Sequence, residues 1–253
     1  MMHTETSTLL PGRGGRVCIM QPYLFPYIGY FQLAHAVDAF WISDTVSFIR
    51  KGWMNRNSLL INKSRKLFSV PVRHSRHDTA IYDCKFAPTA FFVLNKLLKT
   101  IAKAYSRAPE LQATTALVRG VRDHLVSFGG DADFTTVVEK ALQECFDRLS
   151  IRIPVRRVSS LDLAAELTGQ ARVIAACQAI GARCYVNMAG GISLYDHLSF
   201  AEAGIELRFL YPGFTPYRHA APIEFIPALS ILDIIACVDI ESLQTILNNY
   251  RLE

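Results

Sequence analysis

Residues 17–44, VCIMQPYLFPYIGYFQLAHAVDAFWISD, constrain the fold more than any other part of the chain. They open with a short apolar run, Val17, Cys18, Ile19 and Met20, and turn polar at Gln21 and Pro22. Tyr23, Phe25, Tyr27, Tyr30 and Phe31 then crowd around Pro22, Pro26 and Gly29. A helical pattern follows over about 29–37, with Phe31, Leu33, Ala34 and Val37 on one face. A second apolar run, Ala39, Phe40, Trp41 and Ile42, ends in Ser43 and Asp44. Strand, loop, helix, strand is one βαβ unit, and its loop sits at the carboxyl end of the first strand. Open parallel sheets bind ligands at that edge. The other reading of the loop is a proline-rich buried turn packed by its own tyrosines.

The rest of the chain extends this unit. Two extended runs, 58–61 and 66–72, flank a polar turn at Asn62, Lys63 and Ser64 and predict a β-hairpin, with Pro71 at an edge. Residues 80–86 fit one more short strand. From Thr89 the period changes to helical, with Leu94, Leu97, Leu98, Ile101 and Tyr105 on one face. Further helices are expected over about 117–128 and from Asp131 onward, the last striped by Phe134, Val137, Val138, Ala141, Leu142, Cys145, Phe146 and Leu149. The α/β alternation resumes with strands at 153–158, 184–186 and 206–210. Helical sequence separates them: 161–180, interrupted near Gly169, and a short helix at 195–203. Helices over 230–237 and 242–250 close the chain. The predicted fold class is therefore α/β: a mainly parallel, Rossmann-like sheet with a β-hairpin and a helical insertion at about 89–150. Residues 16–253 are expected to form a single domain behind a flexible tail at 1–15.

Composition narrows the function classes. With 51% apolar and 19% charged residues in 253, the chain can bury a large core and is not a disordered tether. A net charge of +5 is spread along the sequence with no basic stripe. The expectation is no nucleic-acid partner, and the charge fits an anionic small molecule equally well. None of the six cysteines sits in a C-x-x-C pair, and most fall in apolar runs. Reduced thiols and a cytoplasmic location are expected. His74 and His77 lack further ligands at zinc spacing and read as a polar loop, so no metal site is predicted. The first fifteen residues lack the apolar core of a signal peptide, and no apolar run reaches the ~18 residues of a membrane helix. Oligomeric state is left open.

Four polar clusters fall at the ends of predicted strands, which gather at one edge of a parallel sheet. They are 21–30, Asp44 with the following 50–57, Ser159–Ser160, and 187–196. Gln21, Tyr27, Lys51, Trp53, Asn55, Arg56, Asn187, Gly190 and Gly191 are the candidate substrate-binding residues. Trp53 and the tyrosines offer apolar faces with polar edges for a sugar or a base. Arg56 and Lys51, with Arg50, could hold a phosphate, arginine through its planar fork. Gly190 and Gly191 before a helix could bring backbone N–H groups to an anion. Asp44 and Asp196 are candidate acid/base carboxylates, although aspartate is also a common cap. Tyr30 completes the candidate catalytic set. Tyr27, Asp44, Trp53 and Arg56 should then converge on one cavity. His197 and His219 are better placed than His35, but no partner can be named for either. There is no G-x-S-x-G elbow and no Cys/His nucleophile signature.

QPYLFPYIGYFQLAHAVDAFWISD resembles the opening of the WbqC-like protein family. The likeness continues through GWMNRNSLL, Ser159–Ser160, GARCYVNMAGGISLYD and FIPALSILD, in order and over nearly all of the chain from Val17. Members of that family occur in bacterial O-antigen and other surface-polysaccharide gene clusters. The resemblance implies an enzyme of bacterial glycan or related secondary-metabolite biosynthesis, a transferase or ATP-dependent ligase. Such an enzyme would move glycine or another acyl group to an amino sugar, and ATP is a possible cofactor. A non-catalytic module that binds a nucleotide-sugar or a partner is the alternative. The implied partner is a small sugar or nucleotide-type substrate. Pro26-Tyr27-Ile28-Gly29-Tyr30 is also similar to the H-x-G-H loop with which nucleotidylyltransferase-like proteins hold ATP phosphates. Here tyrosines, which cannot carry positive charge, stand in both histidine positions.

Overall fold

The computed structural model describes residues 14–73, 78–221 and 223–253. The expected tail, apart from its last two residues, and the His74/His77 loop lie outside them. The βαβ unit forms as the hydrophobic pattern dictates: β1 (Arg16–Met20), α1 (Ile28–His35) and β2 (Ala39–Ile42). The two strands pair in parallel, with Val17 opposite Ala39 and Met20 opposite Ile42.

The hairpin is β3 (Arg56–Ile61) with β4 (Ser64–Ser69), turning through Asn62 and Lys63 in left-handed conformations. A second small ribbon joins β5 (Val72–Arg73) to β6 (Lys85–Phe86). The strand expected over 80–86 shrinks to β6 behind a 3-10 turn at Ile81–Asp83. The N–H groups of Ile81 and Tyr82 go instead to the carbonyls of Val46 and Asp44, both at 2.9 Å, tying this segment across the end of β2. Three helices follow: α2 (Ala90–Ala104), α3 (Leu111–Ser127) and α4 (Phe134–Arg148). α3 starts six residues before the expected 117, at Leu111.

The sheet is completed by β7 (Val155–Arg157), α5 (Gly169–Ile180), β8 (Cys184–Met188), α6 (His197–Glu202) and β9 (Glu206–Pro212). After them come α7 (Ile231–Cys237), α8 (Ile240–Leu247) and β10 (Tyr250–Leu252). Strand order is β7-β2-β1-β8-β9-β10, and only β10 runs antiparallel to its neighbour. Renumbered within the sheet this is 3-2-1-4-5-6, the doubly wound order. The helix expected through Tyr250 is corrected here: it stops at Leu247, and Tyr250 begins a strand opposite Pro212. The buried Gln32 amide fixes that break, lying 2.9 Å from the carbonyls of both Ile246 and Asn249 and 3.0 Å from that of Gly213. Residues 161–168, expected to be helical, are not; α5 begins at Gly169.

Alternate residues of each inner strand face two different cores. Cys18, Phe40, Ile42 and Val186 join one, and Val17, Ile19, Trp41 and Tyr185 the other. The first is continuous with the helical block through Phe146, whose ring lies 5.9 Å from Phe31 and 5.8 Å from Phe40. The second lies under α5 and α6, through Ala176, Cys177, Ile180 and Phe200. Chain crossing from the β7 side to β8 leaves a crevice between the carboxyl ends of β1 and β8, the topological switch point.

Candidate functional site

A cavity of about 990 Å³ opens at that crevice. Its floor comes from the ends of the two central strands: Ile19 and Met20 from β1, with Gln21 just beyond it, and Asn187 and Met188 from β8. The loop after β1 supplies Tyr23 and Tyr27, and the first turn of α1 the buried Tyr30. The segment after β2 adds Ser43, Thr45, Val46, Ile49, Trp53 and Met54. The first turn of α5 contributes Gln170, Arg172 and Val173, and β4 contributes Arg65.

The loop after β1 is held rigidly. Phe25 has φ of +52°, unusual for a bulky residue. Its carbonyl accepts hydrogen bonds from Asn57 Nδ2 and Ser230 Oγ, both at 2.8 Å. Leu24 N–H donates to Met54, and Ile231 N–H to Pro26, each at 2.7 Å. The loop is thereby pinned to β3 and α7. Tyr30 Oη donates to the Gln21 carbonyl at 2.9 Å, and the Tyr27 ring stacks on Phe214. Burial pushes the phenols of Tyr23, Tyr27 and Tyr30 above their ordinary value; for Tyr23 the neighbouring Tyr27 adds to this and Arg56 opposes it. All three are neutral hydrogen-bonding groups at physiological pH.

Two arginines reach the wall. Arg172 Nε donates to Thr45 Oγ1 at 3.0 Å, and its Nη1 to the carbonyls of Leu167 (3.3 Å) and Ala164 (3.4 Å); Nη2 takes no part in these bonds. Arg65 spans from β4 to the 227–228 segment, with Nη1 donating to Ala228 at 3.2 Å and Nη2 to Pro227. No aspartate, glutamate, histidine, lysine or cysteine is among the described residues of the wall.

Of the residues singled out in the sequence, Gln21, Tyr27, Tyr30, Trp53 and Asn187 come together here. Asp44, Asp196, Lys51, Asn55, Arg56, Gly190 and Gly191 do not line the cavity. Asp44 is fully buried and joins the ends of β2 and β7: it accepts the Ser159 N–H at 3.0 Å and the Ser159 hydroxyl at 2.5 Å. Asp196 caps α6, accepting from Ser199 N–H at 2.9 Å and Oγ at 2.8 Å, and these bonds hold its carboxyl below the ordinary range. Arg56 donates to the Lys51 carbonyl and lies over the Trp53 ring, 5.2 Å from its centroid. Asn55 Nδ2 closes the hairpin base on the Val70 carbonyl at 2.8 Å. Gly190 and Gly191 lie in a 3-10 turn, Ala189–Leu194, where a side chain on Gly191 would press on Asn187 Nδ2 at 3.1 Å. Of the expected four, then, Tyr27 and Trp53 converge, and Asp44 and Arg56 do not. His219 is buried against Asp233, Nδ1 to Oδ2 at 3.0 Å, and accepts the Ile226 N–H at its Nε2, away from the wall. His197 is exposed, its ring 5.8 Å from Phe209.

The sequence profile of the WbqC-like protein family matches residues 21–245. The chain belongs to the WbqC-like family. The match begins at Gln21, on the cavity floor, and spans every segment that builds the wall after Met20. An uncharacterized protein of Mycobacterium tuberculosis is 27% identical over 233 residues, covering 90% of this chain and 95% of its own length. No solved structure matches significantly.

Sequence reasoning missed Arg65, Arg172 and Gln170; Tyr23, Asn57 and Tyr195 fell inside its polar clusters without being chosen as site residues. One signal was available for Arg172 and Gln170. They open the helix that crosses from β7 to β8, and the start of such a crossover helix must lie at the ligand-binding edge.

Proposed function

We propose that this WbqC-like protein is an acyl- or aminoacyl-transferring enzyme acting on an amino sugar, with both substrates meeting in the switch-point cavity. The observation that carries the reading is the wall's chemistry: arginines, amides, hydroxyls and neutral tyrosines, without a cysteine, histidine, lysine or carboxylate among its described residues to activate a covalent nucleophile. A free amine is its own nucleophile. Its nitrogen attacks the carbonyl carbon of an activated acyl donor, the C–N bond forms, and the bond to the leaving group breaks. The amine proton leaves with the departing group or to water. Such a transfer needs orientation and charge stabilisation from the protein, not a covalent intermediate. In this reading Gln21, Asn187, Gln170 and Tyr30 position the substrates, and Arg172 and Arg65 meet an anionic leaving group or sugar phosphate. ATP enters this scheme as the agent that activates a free amino acid, leaving phosphate or AMP. Six unpaired cysteines, five of them buried, support a reducing compartment.

The test is to incubate the protein with UDP-glucosamine and two donors in turn, acetyl-CoA and glycine with ATP, and follow acceptor mass. N-acylated sugar is expected with one of the donors. Thermal stabilisation by the nucleotide-sugar without product from either would favour the non-catalytic binding module instead.

A further inference from the structure

The chain has five methionines, and two of them are Met1 and Met2. All the others, Met20, Met54 and Met188, line the cavity. They come from three separate segments, the end of β1, the segment before β3 and the end of β8. Methionine is unbranched, flexible and polarizable, and suits a surface that must fit an apolar partner of variable shape. Ile19, Val46, Ile49, Val158, Val173 and Leu194 extend the same apolar wall. At the mouth Ile49 is 53% exposed and Leu194 67%.

The tyrosine rings are less available for stacking than the sequence suggests, whereas Trp53 keeps one face open and is 54% exposed. Trp53 gives a face to Arg56, Tyr27 one to Phe214, and Tyr30 is buried among Tyr23, Phe31 and Phe40. A volume of about 990 Å³ is at the upper end of small-molecule sites. A lone sugar held by the polar side chains would leave most of it unfilled and the apolar part of the wall uncovered.

We infer that the substrate is an amphiphile: an aliphatic chain lies along Met20, Met54 and Met188, and a negatively charged end faces Arg172. This deepens the transfer reading by making one of the two substrates a long-chain acyl or alkyl compound, and it rests on the cavity being the substrate site.

Titration calorimetry with butyl, hexyl, octyl and decyl phosphate, each below its micelle concentration, tests it without any variant. Affinity should rise about two- to fourfold per added methylene until the cavity is filled, with inorganic phosphate weakest. Met54→Gln and Met188→Gln should flatten that dependence, while Arg172→Gln should weaken the whole series evenly and keep its slope. Equal affinity at every chain length, or a slope untouched by both glutamine variants, would overturn the inference. A clear chain-length dependence without acyl transfer would leave the amphiphile site standing and defeat the transfer reading. Transfer from acetyl-CoA with a flat series would do the reverse.

Discussion

Phe25 holds a left-handed backbone that a bulky side chain adopts at a cost of about 1–3 kcal/mol, and the surroundings must enforce it. Asn57 is the main device. It is buried, donates to the Phe25 carbonyl and accepts the Ser58 N–H at 2.7 Å. Asn57→Ala should destabilise the fold by about 1–3 kcal/mol, because a buried carbonyl and N–H each lose a partner. It should also weaken ligand binding, since Tyr27 and Tyr23 ride on that loop. Urea melts and thermal shift with a bound nucleotide-sugar check both halves; lost stability with unchanged affinity would show that the loop's position does not matter to the site. A second comparison concerns the arginines. Arg172 lines the cavity and Arg56 does not. Arg172→Ala should weaken binding of an anionic ligand about tenfold or more, the value of one charge-assisted hydrogen bond. Arg56→Ala should change it by less than about threefold, because its guanidinium is engaged by the Lys51 carbonyl and Trp53. The reverse ranking would put the anion on the hairpin side of Trp53.

At the scale of elements, α1 begins at a close approach of three segments. A Cβ on Gly29 would overlap Tyr27 Cε2 and lie 2.9 Å from Pro212 Cβ. The glycine lets the Tyr27 ring fold back over the start of its own helix while β9 closes from the other side. Gly29→Ala should force the ring outward at about 1–3 kcal/mol, the usual toll of overpacking. Its near-ultraviolet circular dichroism should change while α1 persists; a variant of wild-type stability and spectrum would mean that the ring has room to move. This close approach explains what could be read in the sequence and what could not. Gly29, Tyr27 and the βαβ order were legible because hydrophobic period and turn residues are local signals. The hairpin, the helical block and the sheet edge at which the cavity opens followed from the same signals. β10 was not legible: Tyr250, Arg251 and Leu252 form a strand through pairing with β9, a non-local contact, and Gln32 ends α8 from far away in sequence. Asp44 and Asp196 show the complementary limit. A carboxylate at a strand or helix end looks the same in sequence whether it faces a substrate, a serine on the next strand or its own helix.

The whole molecule is tied together by a buried polar knot that no local pattern announces. Asp233 of α7 accepts from Tyr105 Oη at 2.5 Å, from the Tyr217 hydroxyl and from His219 Nδ1 at 3.0 Å. Tyr105 also accepts the Leu60 N–H at 2.9 Å, so the helical block, the hairpin, the 217–226 segment and α7 all meet at one carboxylate. Asp233→Ala would strand two buried donors, on Tyr105 and His219, and the half-buried Tyr217 hydroxyl, each buried one at about 1–3 kcal/mol. Since a domain's total stability is about 5–15 kcal/mol, this variant should be barely folded, with lost cooperativity in a urea melt. A fully cooperative melt within about 1 kcal/mol of wild type would show that water or other groups replace the carboxylate.

Burial also gives the molecule a signed pH dependence. It pushes the Cys84 and Cys184 thiols up to about 11 and those of Cys177 and Cys237 to about 12, from an ordinary 9.0, and raises Cys18 and Cys145 as well. The buried phenols of Tyr30, Tyr105, Tyr185 and Tyr217 shift in the same direction. In each case the folded chain holds a proton that the unfolded chain releases first. The stabilisation is therefore complete below about pH 9 and is lost as pH climbs toward the folded values of about 11 and 12. Each thiol ionised only in the unfolded chain removes up to about 1.4 kcal/mol per pH unit. Urea midpoints should thus hold steady between about pH 7 and 8.5 and fall steeply by pH 10, and Cys177→Ala should make the fall shallower. Native thiols should react slowly with a thiol reagent at pH 8, and all six should react at once in denaturant. A midpoint that rose or stayed level through pH 10 would mean that these groups titrate in the folded protein as freely as in the unfolded one, and the tight cores on both faces of the sheet could not be as dry as their packing implies.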